Sequence, residues 1–158
     1  MIEITQTLVQ HHLKYTPETG KFVWLRGRRA GYLAGSNGTT GYTKIQLLGV
    51  HYLAHRLAWL YVYGKLPDNF IDHINGIKSD NRIVNLRDAT ASENRQNQRK
   101  GNIGTKSGFL GVYPSGRRWM AMIHVDRQHR YLGTYDTREE AHEKYLEAKR
   151  AHHPAGTL

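Results

Sequence analysis

The chain has 158 residues, of which 39% are hydrophobic and 23% are charged. This length predicts one domain or two very small ones, and no apolar run approaches the ~20 residues that a membrane span needs. The sequence contains no cysteine, which excludes disulfides, thiolate catalysis and zinc sites with sulfur ligands. The first residues lack the basic start and apolar block of a signal peptide, so we expect a protein that is not secreted.

The charge balance points to a polyanionic partner. Lys and Arg number 23 against 13 Asp and Glu, which gives a formal net charge of +10. A small protein this basic attracts polyanions, and nucleic acid is the commonest of them in a cell. Solubility, or attraction to an anionic membrane surface, would also explain the excess, so charge alone leaves the partner open.

The first third of the chain predicts short strands joined by hairpin loops, followed by one helix. The turn signals are residues 17–20 and 36–38, and the strands are residues 21–25 and 42–47. Residues 55–63 show no alternation and end at Gly64, which predicts a short buried helix closed by a glycine.

The next segment, residues 71–82, combines residue types that can perform hydrolysis. Asp72 is a hard oxygen donor suited to Mg²⁺, and the imidazole of His73 can act as a general base. Neighbouring side chains in a strand point to opposite faces, so one of the pair could bind a metal ion while the other faces an attacking water. Asp-His before Asn-Gly is also an ordinary turn, so the spacing alone leaves both interpretations open.

Two asparagines and a helix follow this segment. Thr90 and Glu93 have the spacing of a capping box, which predicts a helix that carries Asn94. From that helix the Asn94 amide could return to the side of Asp72, or it could simply be solvated. Asn85 could likewise do no more than bond to loop backbone.

Five motifs lie in order between residues 40 and 98. They are AHRLAW at 54–59, IDHING at 71–76, DNR at 80–82, NLR at 85–87 and SEN at 92–94. Together they resemble the HNH endonucleases of the ββα-metal group, and within that group the branch found in phage and intron-borne homing endonucleases. The resemblance implies Asp72 as a metal ligand, His73 as the general base, and Asn85 as the residue that holds the loop and orients the histidine.

The last position of the family motif is histidine in many members and is asparagine here. The resemblance therefore implies Asn94 as the second metal ligand, and we expect one divalent cation, Mg²⁺ or Mn²⁺, with no zinc-cysteine site. His55 is interpreted as a hydrogen-bonded core histidine. Arg82 and Arg87 are candidate phosphate contacts that could equally be exposed charges.

Residues 99–108 are polar, basic and interrupted by glycine, which predicts a flexible linker. Its Arg99, Lys100 and Lys106 could follow DNA phosphates or remain solvated. Three strands and a helix are predicted after it. The strands are residues 109–113, 118–125 and 129–135, the turns are residues 114–116 and 126–128, and the helix follows a capping box at residues 137–140.

Motifs at residues 111–113, 119–123, 131–137 and 139–141 resemble the ethylene-response-factor (Apetala-type) DNA-binding domain. The resemblance implies a three-stranded sheet in the DNA major groove with one helix packed behind it. The expected DNA-facing residues are Arg118, Met122, His124, His129 and Tyr131. The predicted DNA-facing surface has few arginines, the residue that reads guanine, so we expect relaxed or shape-based specificity. Alternatively, the sheet packs on the first module and does not touch DNA.

The sequence thus predicts an α+β protein with a strand-rich region and HNH module at residues 1–98 (core 40–98), the linker, and a DNA-binding domain at residues 109–158. The predicted function is metal-dependent hydrolysis of double-stranded DNA by a histidine-activated water, in the homing type of a phage or mobile element. We expect no membrane partner and no small-molecule cofactor. We expect the protein to be located in the cytoplasm, which is the host cytoplasm if a phage encodes the chain. The alternatives are a catalytically inactive, sequence-specific DNA-binding regulator and a phage packaging or structural factor in which the same fold assists DNA processing. The oligomeric state is left open.

Overall fold

The computed structural model describes residues 3–98, 106–154 and 156. These residues form four α-helices, two 3-10 helices (Gly27–Arg29 and Ile83–Asn85) and eleven short strands. The strands pair into small antiparallel sheets, which confirms the α+β class. The chain divides into two compact units, Met1–Thr90 and Ala91–Leu158, which are described separately. In the described part, no helix is long and apolar enough to cross a membrane.

The first unit opens with a helix and a three-stranded sheet. Its elements are α1 (Gln6–His12), β1 (Leu13–Thr16), β2 (Lys21–Trp24) and β3 (Leu33–Ala34). The hydroxyl of Thr5 accepts a hydrogen bond from the Leu8 N–H at 3.2 Å and so begins α1. Helix α1 was not predicted from the sequence, because this seven-residue helix buries only Val9 and shows almost no apolar periodicity.

A second sheet and a helix complete the core of the first unit. They are β4 (Ser36–Asn37), β5 (Thr43–Leu47), β6 (Val50–Leu53) and α2 (Ala54–Tyr63). Alternate residues Ile45 and Leu47 of β5 are buried, and they share one apolar cluster with Leu57 of α2. The predicted helix stop is confirmed: Gly64 adopts a left-handed φ of 77°, and its N–H bonds to the Leu60 carbonyl at 3.0 Å.

The polar segment forms a two-stranded antiparallel sheet. It consists of β7 (Phe70–His73) and β8 (Leu86–Ala89), and the next helix is α3 (Ala91–Gln96). In the register of the two strands, Asp72 lies opposite Arg87 and His73 lies opposite Leu86. Only Thr90 separates β8 from α3, and α3 belongs to the second compact unit.

The second unit also contains a three-stranded sheet followed by a helix. Its elements are β9 (Val112–Ser115), β10 (Arg118–Val125), β11 (Gln128–Tyr135) and α4 (Arg138–His152), with β10 in the centre of the sheet. Ala121, Ile123 and Val125 are buried on the face that receives α4. A capping box between Thr137 and Glu140 begins α4, as predicted.

The first strand of this sheet differs from its predicted position. Residues 109–113 were expected as the strand and residues 114–116 as the turn, but β9 begins at Val112 and contains Pro114. An edge strand tolerates proline because one side of its backbone needs no ladder hydrogen bond. The turn is therefore shorter than predicted and consists of Gly116 and Arg117, between the paired residues Ser115 and Arg118.

Beyond β9, the edge of β10 is covered by single hydrogen bonds rather than by a strand. The Met122 N–H donates to the Gly111 carbonyl at 2.9 Å. The His153 imidazole donates from Nε2 to the His124 carbonyl, also at 2.9 Å. Of the predicted linker, residues 99–105, including Arg99 and Lys100, lie outside the described residues; Lys106 is exposed.

Candidate active site

Asp72 and His73 lie at the end of β7 and are both buried. Their burial is unusual, because carboxylates and imidazoles are rarely enclosed without polar partners. Each side chain has such partners, and these come from different segments of the first unit. The two side chains are therefore held by polar partners in a buried strand and do not lie in an exposed turn.

The partner of Asp72 is Arg87, directly across the β7–β8 ladder. Two guanidinium nitrogens of Arg87, Nε at 3.0 Å and Nη2 at 2.7 Å, donate to the same carboxylate oxygen, Oδ2. This half-buried ion pair balances the charge of Asp72 and fixes the orientation of its carboxylate. Arg87, a candidate phosphate contact in the sequence analysis, thus contacts the predicted metal ligand.

Asn81 contacts the ring of His73. The amide oxygen Oδ1 of Asn81 lies 3.3 Å from His73 Nε2, and its Nδ2 donates to the Ser79 carbonyl at 3.2 Å. Since the amide nitrogen is directed at a carbonyl, the oxygen faces the ring, and Nε2 of His73 must carry the proton. This tautomer leaves the lone pair on Nδ1.

The surroundings keep the His73 ring neutral. Burial lowers the pKa of His73 below its ordinary value, while the Asn81 hydrogen bond and the charges of Asp72 and Asp80 oppose that shift. A neutral imidazole at neutral pH can accept a proton. The arrangement can therefore support general-base chemistry.

The rings of His55 and Tyr42 also lie close to the ring of His73. The His55 ring meets the His73 ring edge-on, with centroids 5.0 Å apart, and the Tyr42 ring lies 5.9 Å from His73. Burial, with smaller contributions from His73 and Arg56, lowers the pKa of His55 to about 3, so the ring stays neutral. His55 is buried, as interpreted from the sequence, but among the described residues its Nδ1 has no hydrogen-bond partner. Its contact with His73 was missed, as was Tyr42.

Asn85 braces the loop between β7 and β8. Its Oδ1 accepts from the Asn75 N–H at 2.9 Å, and its Nδ2 donates to the Asp80 carbonyl at 2.8 Å. These bonds tie together the two ends of residues 75–80. The structure thus places Asn85 against the loop, whereas the amide beside the histidine is that of Asn81, which the sequence analysis did not single out.

Arg82 forms a bidentate ion pair with Asp80 on the same loop. Its Nε and Nη2 donate to the two carboxylate oxygens of Asp80, at 2.8 Å and 2.6 Å. These bonds are the main cause of the low Asp80 pKa of about 2. Arg82 itself is exposed, so this cation lies at the surface beside the site.

The turn between β1 and β2 packs against the loop that joins β7 to β8. The Tyr15 hydroxyl donates to the Asn81 carbonyl at 2.7 Å, and the Ile83 N–H donates to the Pro17 carbonyl at 3.2 Å. Gly20 lies so close that a Cβ there would sit 2.4 Å from the Arg82 nitrogen and 2.5 Å from the Asn81 carbonyl carbon. The N-terminal hairpin therefore positions the residue that contacts His73.

Asn94 lies on α3 in the second unit, where it is exposed. Its predicted role as a metal ligand beside Asp72 therefore stays a prediction. Within residues 3–98, 106–154 and 156, no cluster of three or more histidine and acidic side chains could hold a metal ion by itself. Any cation at Asp72 would need ligands of other kinds, such as amide oxygens, water and phosphate.

The residues predicted to face DNA lie on neighbouring strands of the second unit. Met122 pairs with Tyr131, and His124 pairs with His129, so these four are cross-strand neighbours. Arg118, at the start of β10, is ion-paired with Asp136 at 2.8 Å. An open groove of about 670 Å³ is lined by Met122, His124 and His129, and Arg95 and Arg127 add positive charge to it.

Residues 52–96 match a family model described as HNH endonuclease. The matched segment contains Asp72, His73 and their partners Asn81 and Arg87, and it supports a nuclease. The match does not extend to the three-stranded sheet of the second unit. No curated protein and no solved structure shows a significant match to the chain.

Proposed function

We propose that this protein is a metal-dependent DNA endonuclease of the HNH type that hydrolyses a phosphodiester of double-stranded DNA. The observation that carries the proposal is the buried Asp72–His73 pair, with His73 Nε2 held by Asn81, inside the segment that matches the HNH endonuclease model. The homing type, in a phage or mobile element, follows from the motif resemblance.

His73 is the general base in this proposal. Its Nδ1 takes a proton from a water molecule, whose oxygen forms a bond to phosphorus while the bond from phosphorus to the 3′ oxygen breaks. The leaving oxygen takes a proton from solvent, so the products are 5′-phosphate and 3′-hydroxyl ends. Asn81 keeps Nε2 protonated throughout, and Asn85 holds the loop that carries Asn81.

Asp72 and Asn94 would hold one divalent cation. The donor set fits Mg²⁺ or Mn²⁺, because such ions bind through one or two carboxylates and complete their shell with water and substrate phosphate. It does not resemble a zinc site closed by three or four protein ligands. When bound, the cation would supply charge stabilisation at the phosphate and at the leaving oxygen. Arg87 keeps the Asp72 carboxylate oriented through its two hydrogen bonds to Oδ2.

The second unit binds DNA in this proposal. The support is the net charge of +10 of the whole chain, the cross-strand neighbours Met122, Tyr131, His124 and His129, and the groove with Arg95 and Arg127. Arg118 is the one arginine among the predicted DNA-facing residues, which favours contact with the backbone and with DNA shape over reading of single bases. Two modest DNA contacts on one chain reinforce each other through effective concentration.

The test is cleavage of supercoiled plasmid with Mg²⁺, with Mn²⁺ and with chelator, by the wild type and by His73→Ala. We expect cleavage by the wild type with either metal ion, none with chelator, and a rate lower by about 10²–10⁴ in His73→Ala. The matched control is His11→Ala, which removes an exposed histidine of α1. Circular dichroism checks that both variants are folded.

Two outcomes would contradict the proposal. Unchanged cleavage by folded His73→Ala would remove the assignment of the base. Tight DNA binding by a wild type that never cuts, measured by gel shift, would favour the inactive DNA-binding regulator. Nicked and linear products on the same gel also report whether one strand or both are cut.

A further inference from the structure

A buried lysine holds the end of the helix that carries Asn94. Lys149 of α4 is only 1% exposed, and its Nζ donates to the Gln98 carbonyl at 2.5 Å. Lysine is among the residues least often fully buried, because its ammonium loses hydration that polar partners must replace. The burial of Lys149 therefore indicates that the contact of its ammonium with that carbonyl is specific.

The carbonyl lies two residues after Gln96, the last residue of α3. The Asn97 N–H bonds to the Glu93 carbonyl at 3.0 Å, and the Gln98 N–H bonds to the Arg95 carbonyl at 3.2 Å, so helical turns continue through Gln98. The last carbonyls of a helix lack partners within the helix and carry its partial negative charge. The Lys149 ammonium places a positive charge at the turn that follows these carbonyls, which is the favourable sign at a helix C-terminus.

The segment after α4 also packs against this end. A Cβ on Gly156 would lie 2.7 Å from the Gln96 carbonyl oxygen and 3.0 Å from Cε of Lys149. Asn97, the residue between the two contacted carbonyls, is buried. The end of α3 is thus enclosed by α4 and by the segment that follows α4.

Helix α3 needs this anchor because it has only six residues. Helices shorter than about 12 residues are marginal in water, so tertiary contacts decide whether and where they form. The anchored end lies about one helical turn after Asn94, and Thr90 alone joins the other end to β8. Whatever fixes the end of α3 also restricts the Asn94 amide.

We propose that Lys149 is a positioning residue for the nuclease: by holding the end of α3, it places Asn94 for binding the divalent cation. This inference rests on the proposed function, since it takes Asn94 as a metal ligand. It assigns the C-terminal unit a second task besides DNA binding, because α4 then fixes the segment that carries Asn94. Neither Lys149 nor α4 lies in the segment that matches the HNH endonuclease model.

The test compares the full-length wild type with Lys149→Met, which keeps the aliphatic chain and removes the ammonium. The matched control is Lys144→Met on the same helix, since Lys144 is exposed and contacts only Glu147 in its described ion pair. Three quantities are measured: hydrogen exchange of residues 91–98 without metal, Mn²⁺ binding by paramagnetic resonance, and the Mn²⁺ concentration for half-maximal cleavage.

For Lys149→Met we expect exchange at Asn97 and Gln98 to accelerate at least about tenfold. Mn²⁺ binding should weaken roughly 10–100-fold, as when a residue that supports a metal ligand is lost. Cleavage at saturating Mn²⁺ and DNA affinity should stay close to wild type. A merely structural role would instead lower the maximal rate and DNA binding together.

A second variant, Gly156→Ala, disturbs the same helix end with Lys149 intact, and it carries the test if Lys149→Met does not fold. It should shift exchange and Mn²⁺ binding in the same direction. Faster exchange with unchanged Mn²⁺ binding would overturn the positioning role. Unchanged exchange would overturn the anchor itself. A wild type that binds Mn²⁺ but never cuts would refute the proposed function, while the Mn²⁺ and exchange measurements still decide the inference.

Discussion

Replacing Gly20 by alanine tests whether the N-terminal hairpin supports the candidate active site. Gly20 has a φ of +68°, a left-handed conformation that side chains disfavour by about 1 kcal/mol. The added Cβ would also lie 2.4 Å from the Arg82 nitrogen and 2.5 Å from the Asn81 carbonyl carbon. Both are backbone atoms, so the loop itself must move.

The expected loss of stability is the sum of these two effects. Forced overpacking typically costs about 1–3 kcal/mol, so Gly20→Ala should lower the free energy of unfolding of the first unit by about 2–4 kcal/mol. The matched control is Gly49→Ala in the turn between β5 and β6. Gly49 has a similar φ of +82°, but nothing lies within 4 Å of its added Cβ, so only the backbone cost of about 1 kcal/mol applies.

The assay is urea unfolding followed by tryptophan fluorescence. A Trp119→Phe background leaves Trp24 and Trp59, both in the first unit, as the reporters. Folded Gly20→Ala should also cut DNA more slowly than Gly49→Ala, because the displaced Asn81 no longer orients His73. Equal destabilisation by the two variants would refute the reasoning, since it would mean that the overlap at Gly20 is absorbed without strain.

Two further predictions concern pH and helix capping. The pKa of His55 lies at about 3 in the folded protein and near 6.5 in the unfolded chain, so its burial destabilises the first unit increasingly as pH falls below about 6.5. Between pH 7 and pH 5, the free energy of unfolding of His55→Leu should therefore fall less than that of the wild type, by about 1 kcal/mol per pH unit. An equal fall in the two proteins, measured by urea unfolding, would contradict this. Thr137→Ala removes the capping box of α4 and should destabilise the second unit by about 1 kcal/mol, measured by thermal unfolding through Trp119 fluorescence in a background with Trp24→Phe and Trp59→Phe; an unchanged midpoint would show that the cap is not needed.

Local signals in the sequence predicted the elements that local chemistry determines. Gly64 ends α2 because a left-handed residue closes a helix, and Thr137 with Glu140 begins α4 through reciprocal hydrogen bonds. Asp126 and Arg127 both adopt positive φ, at 52° and 64°, in the predicted turn between β10 and β11. This two-residue turn is one residue shorter than predicted, because Gln128 already belongs to β11.

The partners of the candidate site could not be predicted in the same way. Asp72 and His73 stood out because adjacent residues carry complementary chemistry. Asn81, His55 and Tyr42 contact His73 from a loop, a helix and a segment before β5, and no spacing rule relates them. Their contacts depend on tertiary packing, which a single sequence does not reveal.

The same limit applies to α3. Its start at Ala91 was predicted from a local pattern, and the helix begins there. That its end would be held by a lysine more than fifty residues later has no local signal, because a lysine in an amphipathic helix normally indicates a solvated face. Burial of Lys149 becomes visible only when α3 and α4 are folded together.

The imidazole of His153 has a consequence for the behaviour of the folded chain in concentrated solution. An uncovered strand edge offers carbonyl and amide groups to any other polypeptide, and it is a common starting point for aggregation. Here one ring from the C-terminal segment bonds to the His124 carbonyl, on the part of β10 that β9 does not cover. A residue after the last helix thus occupies a backbone acceptor that another strand would need in order to pair there.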